Sequence, residues 1–196
     1  MAWVIVGLGN PGEEYEMTRH NAGRQALQYF VSAKDFTPLT ADKKNKVHVS
    51  KGAIKKNLVV LVAPDTYMNK SGSAVSKYVK SAKAAERMIV VYDDLDLPLG
   101  AVKISFDRGS GGHKGLESVT RAVRTKKFTR VRIGVSPATA GGVLKKPSGE
   151  KQVLDFILTK FHAHEIDELK RVNKRAAEIL EFIVLKGRMA AMNKFN

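Results

Sequence analysis

The chain contains no cysteine. That excludes disulfides, a thiol nucleophile and thiolate metal ligation. Tryptophan occurs once and proline six times. No apolar run approaches the ~20 residues that a membrane-crossing helix needs. The N-terminus has no basic segment followed by a long apolar one, so no secretory signal is read there. Acid is scarce: 19 Asp and Glu face 34 Lys and Arg, a formal charge of +15. A field of that size favours polyanionic partners, nucleic acid or an anionic membrane surface. Together these absences describe a cytoplasmic protein.

Apolar residues make up 43% of the 196, enough for a sizeable core in a single domain spanning 1–196. Trp3–Val6 reads as a short buried strand, with a helix over 22–32 capped by Asn21. A polar loop covers 35–46. Val-rich runs at 47–52 and 58–63 predict a hairpin. Helices are expected at 67–80 and 115–123, and strands at 88–92, 102–106 and 129–135. This alternation predicts an α/β fold: one three-layer domain, a mixed twisted sheet and helices on both faces. A loop rich in Gly and Pro at 136–151 predicts a mobile lid. A short helix follows at 153–158. A basic C-terminal helix is expected over 163–186, carrying Lys170, Arg171, Lys174 and Arg175, with Gly187 as its stop.

Several segments carry chemistry. Gly7-Leu8-Gly9-Asn10-Pro11-Gly12 leaves the first strand, and Thr18-Arg19-His20-Asn21-Ala22-Gly23 opens the first helix. One connection thus delivers a carboxamide, Asn10, and an imidazole, His20, to the same end of the sheet. An imidazole titrates near working pH and can take a proton from water. The glycines match a dinucleotide fingerprint only weakly, because the helix starts ten residues late and Glu13 and Glu14 would repel phosphate. Asp93-Asp94-Leu95-Asp96 follows the most apolar strand. One of these acids can orient a histidine, or the set can hold Mg²⁺. The turn Gly109–Gly115 lets backbone N–H groups approach an anion. Read alone, Asn69 is a helix cap. His162 and His164 lack a third ligand in register for zinc.

In their order and spacing these stretches resemble the bacterial peptidyl-tRNA hydrolase family. The resemblance rests on 6–12 with Tyr15, on 18–23, on Pro64–Gly72, on Asp93–Gly100, on Gly109–His113 and on Arg130–Val135. It implies a monomeric hydrolase with tRNA as its partner, no stable protein partner, no cofactor and no metal. The reaction implied is cleavage of the ester between a peptide and the 3′ ribose of tRNA. On that analogy His20 is the general base and Asp93 holds it. Asn10 and Asn69 bind the ester region and stabilise the oxyanion. Tyr15 and Tyr67 shape the cleft, Arg132 contacts phosphate, and Lys103 and the basic C-terminal helix are weaker phosphate contacts.

The chain departs from the family at Gly112-His113-Lys114-Gly115, where an active-site Asn is replaced by Lys114. Lys114 has donors but no acceptor, so it can bind a phosphate or an oxyanion but cannot orient water through a carbonyl. The family's second basic clamp residue is Ser105 here. These departures keep a second reading open, a non-catalytic RNA-binding member of the family.

Overall fold

Runs of β-branched residues set the strands, and their alternation sets the layers. The computed structural model describes residues 1–139 and 141–196. Seven strands form one sheet: β1 (Trp3–Gly7), β2 (Thr40–Asp42), β3 (Val47–Ile54), β4 (Asn57–Pro64), β5 (Met88–Pro98), β6 (Val102–Phe106) and β7 (Thr129–Ser136). Their order is β2-β3-β4-β1-β5-β7-β6. The inner strands β4, β1, β5 and β7 run parallel, while β2, β3 and β6 add antiparallel edges. Seven α-helices accompany the sheet among the described residues: α1 (Ala22–Ala33), α2 (Ser71–Val75), α3 (Ala82–Ala85), α4 (Lys114–Val123), α5 (Glu150–Ile157), α6 (Ile166–Lys186) and α7 (Arg188–Phe195).

Successive strand residues point to opposite faces, so each inner strand feeds two cores. Ile5, Ile89, Val91 and Val131 pack under α1, α6 and α7, with Phe30, Ile179 and Ile183. Val4, Val6, Val90 and Tyr92 face the other way, against α2 and α4, with Val75, Leu116 and Val119. Each such side chain, fully buried, contributes about 1.5–3 kcal/mol. The mixed sheet with helices on both faces is therefore the arrangement expected from the sequence.

The N-terminus of α1 lies against β5, and a glycine makes that possible. A Cβ on Gly23 would stand 2.2 Å from the carbonyl oxygen of Val91. His20 sits three residues earlier, so this close approach brings its ring to the end of β5.

Strand β2 falls within the expected polar loop 35–46 and α3 was not expected; four further features differ from expectation. The helix expected over 67–80 is a 3-10 turn, Met68–Lys70, followed by the single turn of α2. Ser73 and Ser76 hydroxyls donate to the carbonyls of Lys70 and Ser73, local bonds that compete with helix propagation. The Asp93–Asp96 run lies inside β5 rather than after it. Asn21 does not cap α1 with its side chain. Helix α7 follows Gly187 and was not expected, because Ala191 is its one buried residue and its sequence has no apolar period. The expected lid over 136–151 includes residue 140, which lies outside the described residues. Its second half contains the start of α5 at Glu150, and Lys146 reaches Asp96 at 2.6 Å.

Candidate active site

The parallel strands β4, β1 and β5 are neighbours and end on the same edge. Loops leaving their C-terminal ends meet there, at the place where open α/β sheets bind ligands. The loop after β4 supplies Tyr67 and Asn69. That after β1 supplies Asn10, Tyr15 and His20. Strand β5 supplies Asp93 directly. A cleft of about 1040 Å³ lies over this edge and is lined by all six.

Asp93 is buried and lies between two imidazoles. His20 Nδ1 is 3.0 Å from each carboxylate oxygen, and His113 Nε2 is 2.9 Å from Oδ1. Burial alone would raise the carboxyl pKa, but the two rings outweigh it and hold Asp93 well below the usual carboxylate range. An ionised carboxylate only accepts, so both rings donate to it. His113 Nδ1 in turn accepts the Leu116 N–H at 3.1 Å, which makes His113 the neutral Nε2–H tautomer. In His20 the Nδ1 proton points at Asp93, which leaves the Nε2 lone pair for another partner. The His113 ring also packs edge-on against Tyr92, centroids 4.9 Å apart. Burial and the charge of Asp94 push the Tyr92 hydroxyl up to about 12, so it stays neutral.

Asn10 is positioned by Asn21. The Asn21 amide accepts the Asn10 N–H at 2.8 Å and donates to the Asn10 carbonyl at 2.9 Å, as a paired strand residue would. Asn10 Oδ1 accepts the Met68 N–H at 2.8 Å, so its Nδ2 is the donor left for a ligand. That same bond ties the Asn10 loop to the turn carrying Asn69, whose side chain is exposed in the cleft.

The three neighbouring acids do not converge on one ion. Asp93 goes to the imidazoles, Asp94 binds Arg132 at 2.7 Å, and Asp96 binds Lys146. Arg132 lines the cleft, and its bond to Asp94 raises its pKa against the opposing effect of burial. Among the described residues, His20, Asp93 and His113 are the one group whose ligand atoms approach within 4.8 Å and could hold a metal. Those atoms already satisfy one another through protons.

Lys114 stands at the cleft mouth, 65% exposed, with its ammonium 4.0 Å from Glu150. It takes no part in the His20–Asp93–His113 bonding. Lys103 does not line the cleft; it donates to the Asn196 carbonyl beside α7. Lys170, Arg171 and Arg175 of α6 each pair with an acid three residues away. Two residues were missed from sequence. His113 was visible only as part of a glycine-rich turn, and Arg108, which lines the cleft from that turn, carried no signal. The turn also differs from an open anion cradle, because the His113 ring takes up the Leu116 N–H of the first turn of α4.

Comparison with known proteins agrees with this geometry. A family model described as peptidyl-tRNA hydrolase matches residues 4–196. The peptidyl-tRNA hydrolase of Chloroflexus aggregans is 37% identical over 99% of this chain and 98% of its own. That of Aquifex aeolicus is 39% identical over 90% of this chain and 87% of its own. A crystal structure of peptidyl-tRNA hydrolase from Acinetobacter baumannii superposes with a TM-score of 0.87 at 31% identity, over 100% of this chain and 94% of that one. No helix among the described residues is long and apolar enough to cross a membrane.

Proposed function

The chain belongs to the peptidyl-tRNA hydrolase family, and from that premise we propose that it cleaves the ester between a peptide and the 3′ ribose of tRNA, with His20 as general base and no metal in the chemical step. The observation that carries this reading is His20 Nδ1 at 3.0 Å from both oxygens of buried Asp93 at the edge of an open cleft, which favours a proton on Nδ1 and a lone pair on Nε2.

The chemistry follows from that tautomer. Water on Nε2 gives up a proton as its oxygen adds to the ester carbonyl. Asp93 stabilises the imidazolium that forms, at no cost of reorientation. The developing oxyanion takes hydrogen bonds from Asn10 Nδ2 and the Asn69 amide, each donor typically worth ~10²–10³ in rate. Collapse breaks the ester bond, and the imidazolium returns its proton to the leaving ribose oxygen. Tyr15 and Tyr67 offer faces for the terminal base and the peptide. Arg132 meets a phosphate by exchanging Asp94 for it.

A module that only bound RNA would have no use for a carboxylate buried between two rings. That argues against the non-catalytic reading, although Lys114 departs from the family pattern. The test is release of N-acetyl-amino acid from tRNA in the presence of EDTA. The wild-type protein turns over; His20→Ala does not. Full activity in His20→Ala removes the general base from this account, and loss of wild-type activity on chelation removes metal independence.

A further inference from the structure

Protons hold Asp93 between its two rings, and a metal ion can take their place. His20 Nδ1 and His113 Nε2 both reach the one carboxylate, and the ligand atoms of the three residues lie within 4.8 Å of one another. The rings are inclined by 46° with centroids 5.0 Å apart, so the two nitrogens meet the carboxylate from different directions. Two imidazoles and a carboxylate, with a fourth position left for water, are a donor set that zinc accepts. Around a tetrahedral zinc bound at ~2.0–2.1 Å, ligand atoms stand roughly 3.3 Å apart. The nitrogen–oxygen separations of 2.9 and 3.0 Å need to open by a few tenths of an ångström, while the two nitrogens draw together. All three residues line the cleft, which gives an ion a way in.

The rest of the chain offers little competition. It has no cysteine and five histidines, two of them in this cluster. His162 and His164 stack with centroids 5.6 Å apart, and His48 lies 3.7 Å from Asp65, but among the described residues neither set gains a third ligand. Imidazole nitrogen suits Zn²⁺, Ni²⁺ and Cu²⁺, whereas Mg²⁺ takes octahedral oxygen and keeps its waters. The cluster is also shaped against a resident ion. His113 Nδ1 accepts the Leu116 N–H, whereas a metal-bound ring needs a proton there to donate. Binding through Nε2 moves the His113 proton to Nδ1 and breaks that bond. The ion that fits is therefore an exchangeable one.

We propose that the His20–Asp93–His113 cluster is an inhibitory site for a divalent ion of the zinc class. The inference rests on the function proposed above, because inhibition requires that His20 be the base. A metal on His20 Nδ1 expels the proton held there, and the neutral ring takes one up on Nε2. Nε2 is then an N–H with no lone pair for water, and the ester is not attacked. The ion sits on the Asp93 side of the ring, opposite the nitrogen that serves the substrate, so it does not deliver water in place of the base. Asn10, Asn69 and Arg132 are left as they were, so tRNA still binds.

The experiment titrates the wild-type protein, stripped with EDTA and dialysed, with ZnCl₂ and separately with MgCl₂. Cleavage of N-acetyl-aminoacyl-tRNA is followed, and zinc binding is read apart from turnover by equilibrium dialysis. The zinc-loaded protein should lose ~10²-fold or more in kcat, the contribution of a positioned base, with KM unchanged. Added EDTA should restore the rate, and Mg²⁺ should not inhibit. A His48→Gln, His162→Gln, His164→Gln variant should keep both the inhibition and the tight zinc. His113→Gln retains a donor for Asp93 and part of the rate. It should need at least ~10-fold more zinc for half-inhibition, the loss that even an outer partner of a metal ligand causes. In His20→Ala the tight zinc should disappear from the dialysis. Equal zinc sensitivity in His113→Gln would overturn the proposal, as would escape of the triple variant from inhibition. Zinc that raised the rate would overturn it, and so would zinc that raised KM alone, which is the mark of an ion held by the tRNA. A wild-type protein that cleaves nothing, yet binds a zinc that His113→Gln weakens, refutes the hydrolase reading and leaves the metal site standing.

Discussion

Replacing His113 by Ala tests the arrangement around Asp93. In the native protein the buried carboxylate has two charge-assisted partners, His20 at 3.0 Å and His113 at 2.9 Å. Removing one leaves Oδ1 short of a donor inside the protein, a loss of about 1.5–3 kcal/mol for a hydrogen bond to a charged group. At neutral pH that loss appears as stability, read from the urea midpoint. The share specific to the ionised form is the same energy seen as a rise in the carboxyl pKa, about one unit for each 1.36 kcal/mol. The carboxylate then rotates more freely, and the His20 ring it aligns is misplaced with it. Misplacement of a reacting group by about an ångström costs up to ~10²-fold, so kcat should fall about 10- to 100-fold with KM little changed. The assay is release of N-acetyl-amino acid from tRNA under saturating and limiting substrate. His113→Gln keeps an N–H for Asp93 but has no ring to seat against Tyr92, and it should recover part of the rate. A kcat for His113→Ala within about twofold of wild type, with an unshifted urea midpoint, would refute the reasoning.

Asn21→Ala removes both bonds to the Asn10 main chain and leaves a buried N–H and C=O unpaired. Stability should fall by about 2–4 kcal/mol, checked by denaturant melts, with a drop in kcat from the displaced Asn10 amide. Arg19→Met probes the buried ion pair to Glu165, 2.8 Å long, whose guanidinium lies against the Phe156 and Phe161 rings. At neutral pH the variant should lose about 3–5 kcal/mol, because Glu165 is left buried and unpaired. Burial opposes ionisation of Glu165, but the Arg19 bond outweighs it and lowers the folded-state pKa. The pair therefore stabilises fully above the unfolded carboxyl pKa of ~4.3, and its contribution is lost as pH falls through the lower folded value. The gap between wild type and variant should close in acid; a gap that widened would refute the assignment.

Local pattern was enough to determine the strands other than β2, which lies in the expected polar loop 35–46, and their layers. Val4-Ile5-Val6 and Ile89-Val90-Val91 are apolar at every position, which means burial on both faces, and that requires helices above and below. Motif order was enough to bring forward His20, Asp93, Asn10 and Asn69 as candidates: three of them follow a strand or open a helix at a recognisable turn, and Asp93 ends the apolar run of β5. What sequence could not decide was partnership. Lys103 and Lys114 look alike as cations in a chain of letters; one donates to Asn196 and the other stands at the cleft mouth beside Glu150. Asn21 looks like a cap, yet its amide is bonded to Asn10 eleven residues earlier. His113 carried no charge pattern or period, and it becomes the second partner of Asp93 only because α4 delivers it from the opposite layer. Hydrogen bonds between residues 20, 93 and 113 depend on where three separate elements come to rest, and that is settled by the packing of the two cores, through contacts such as Gly23 against Val91. Periodicity acts along the chain and is legible in it; pairing acts across the chain and exists only once the layers have closed.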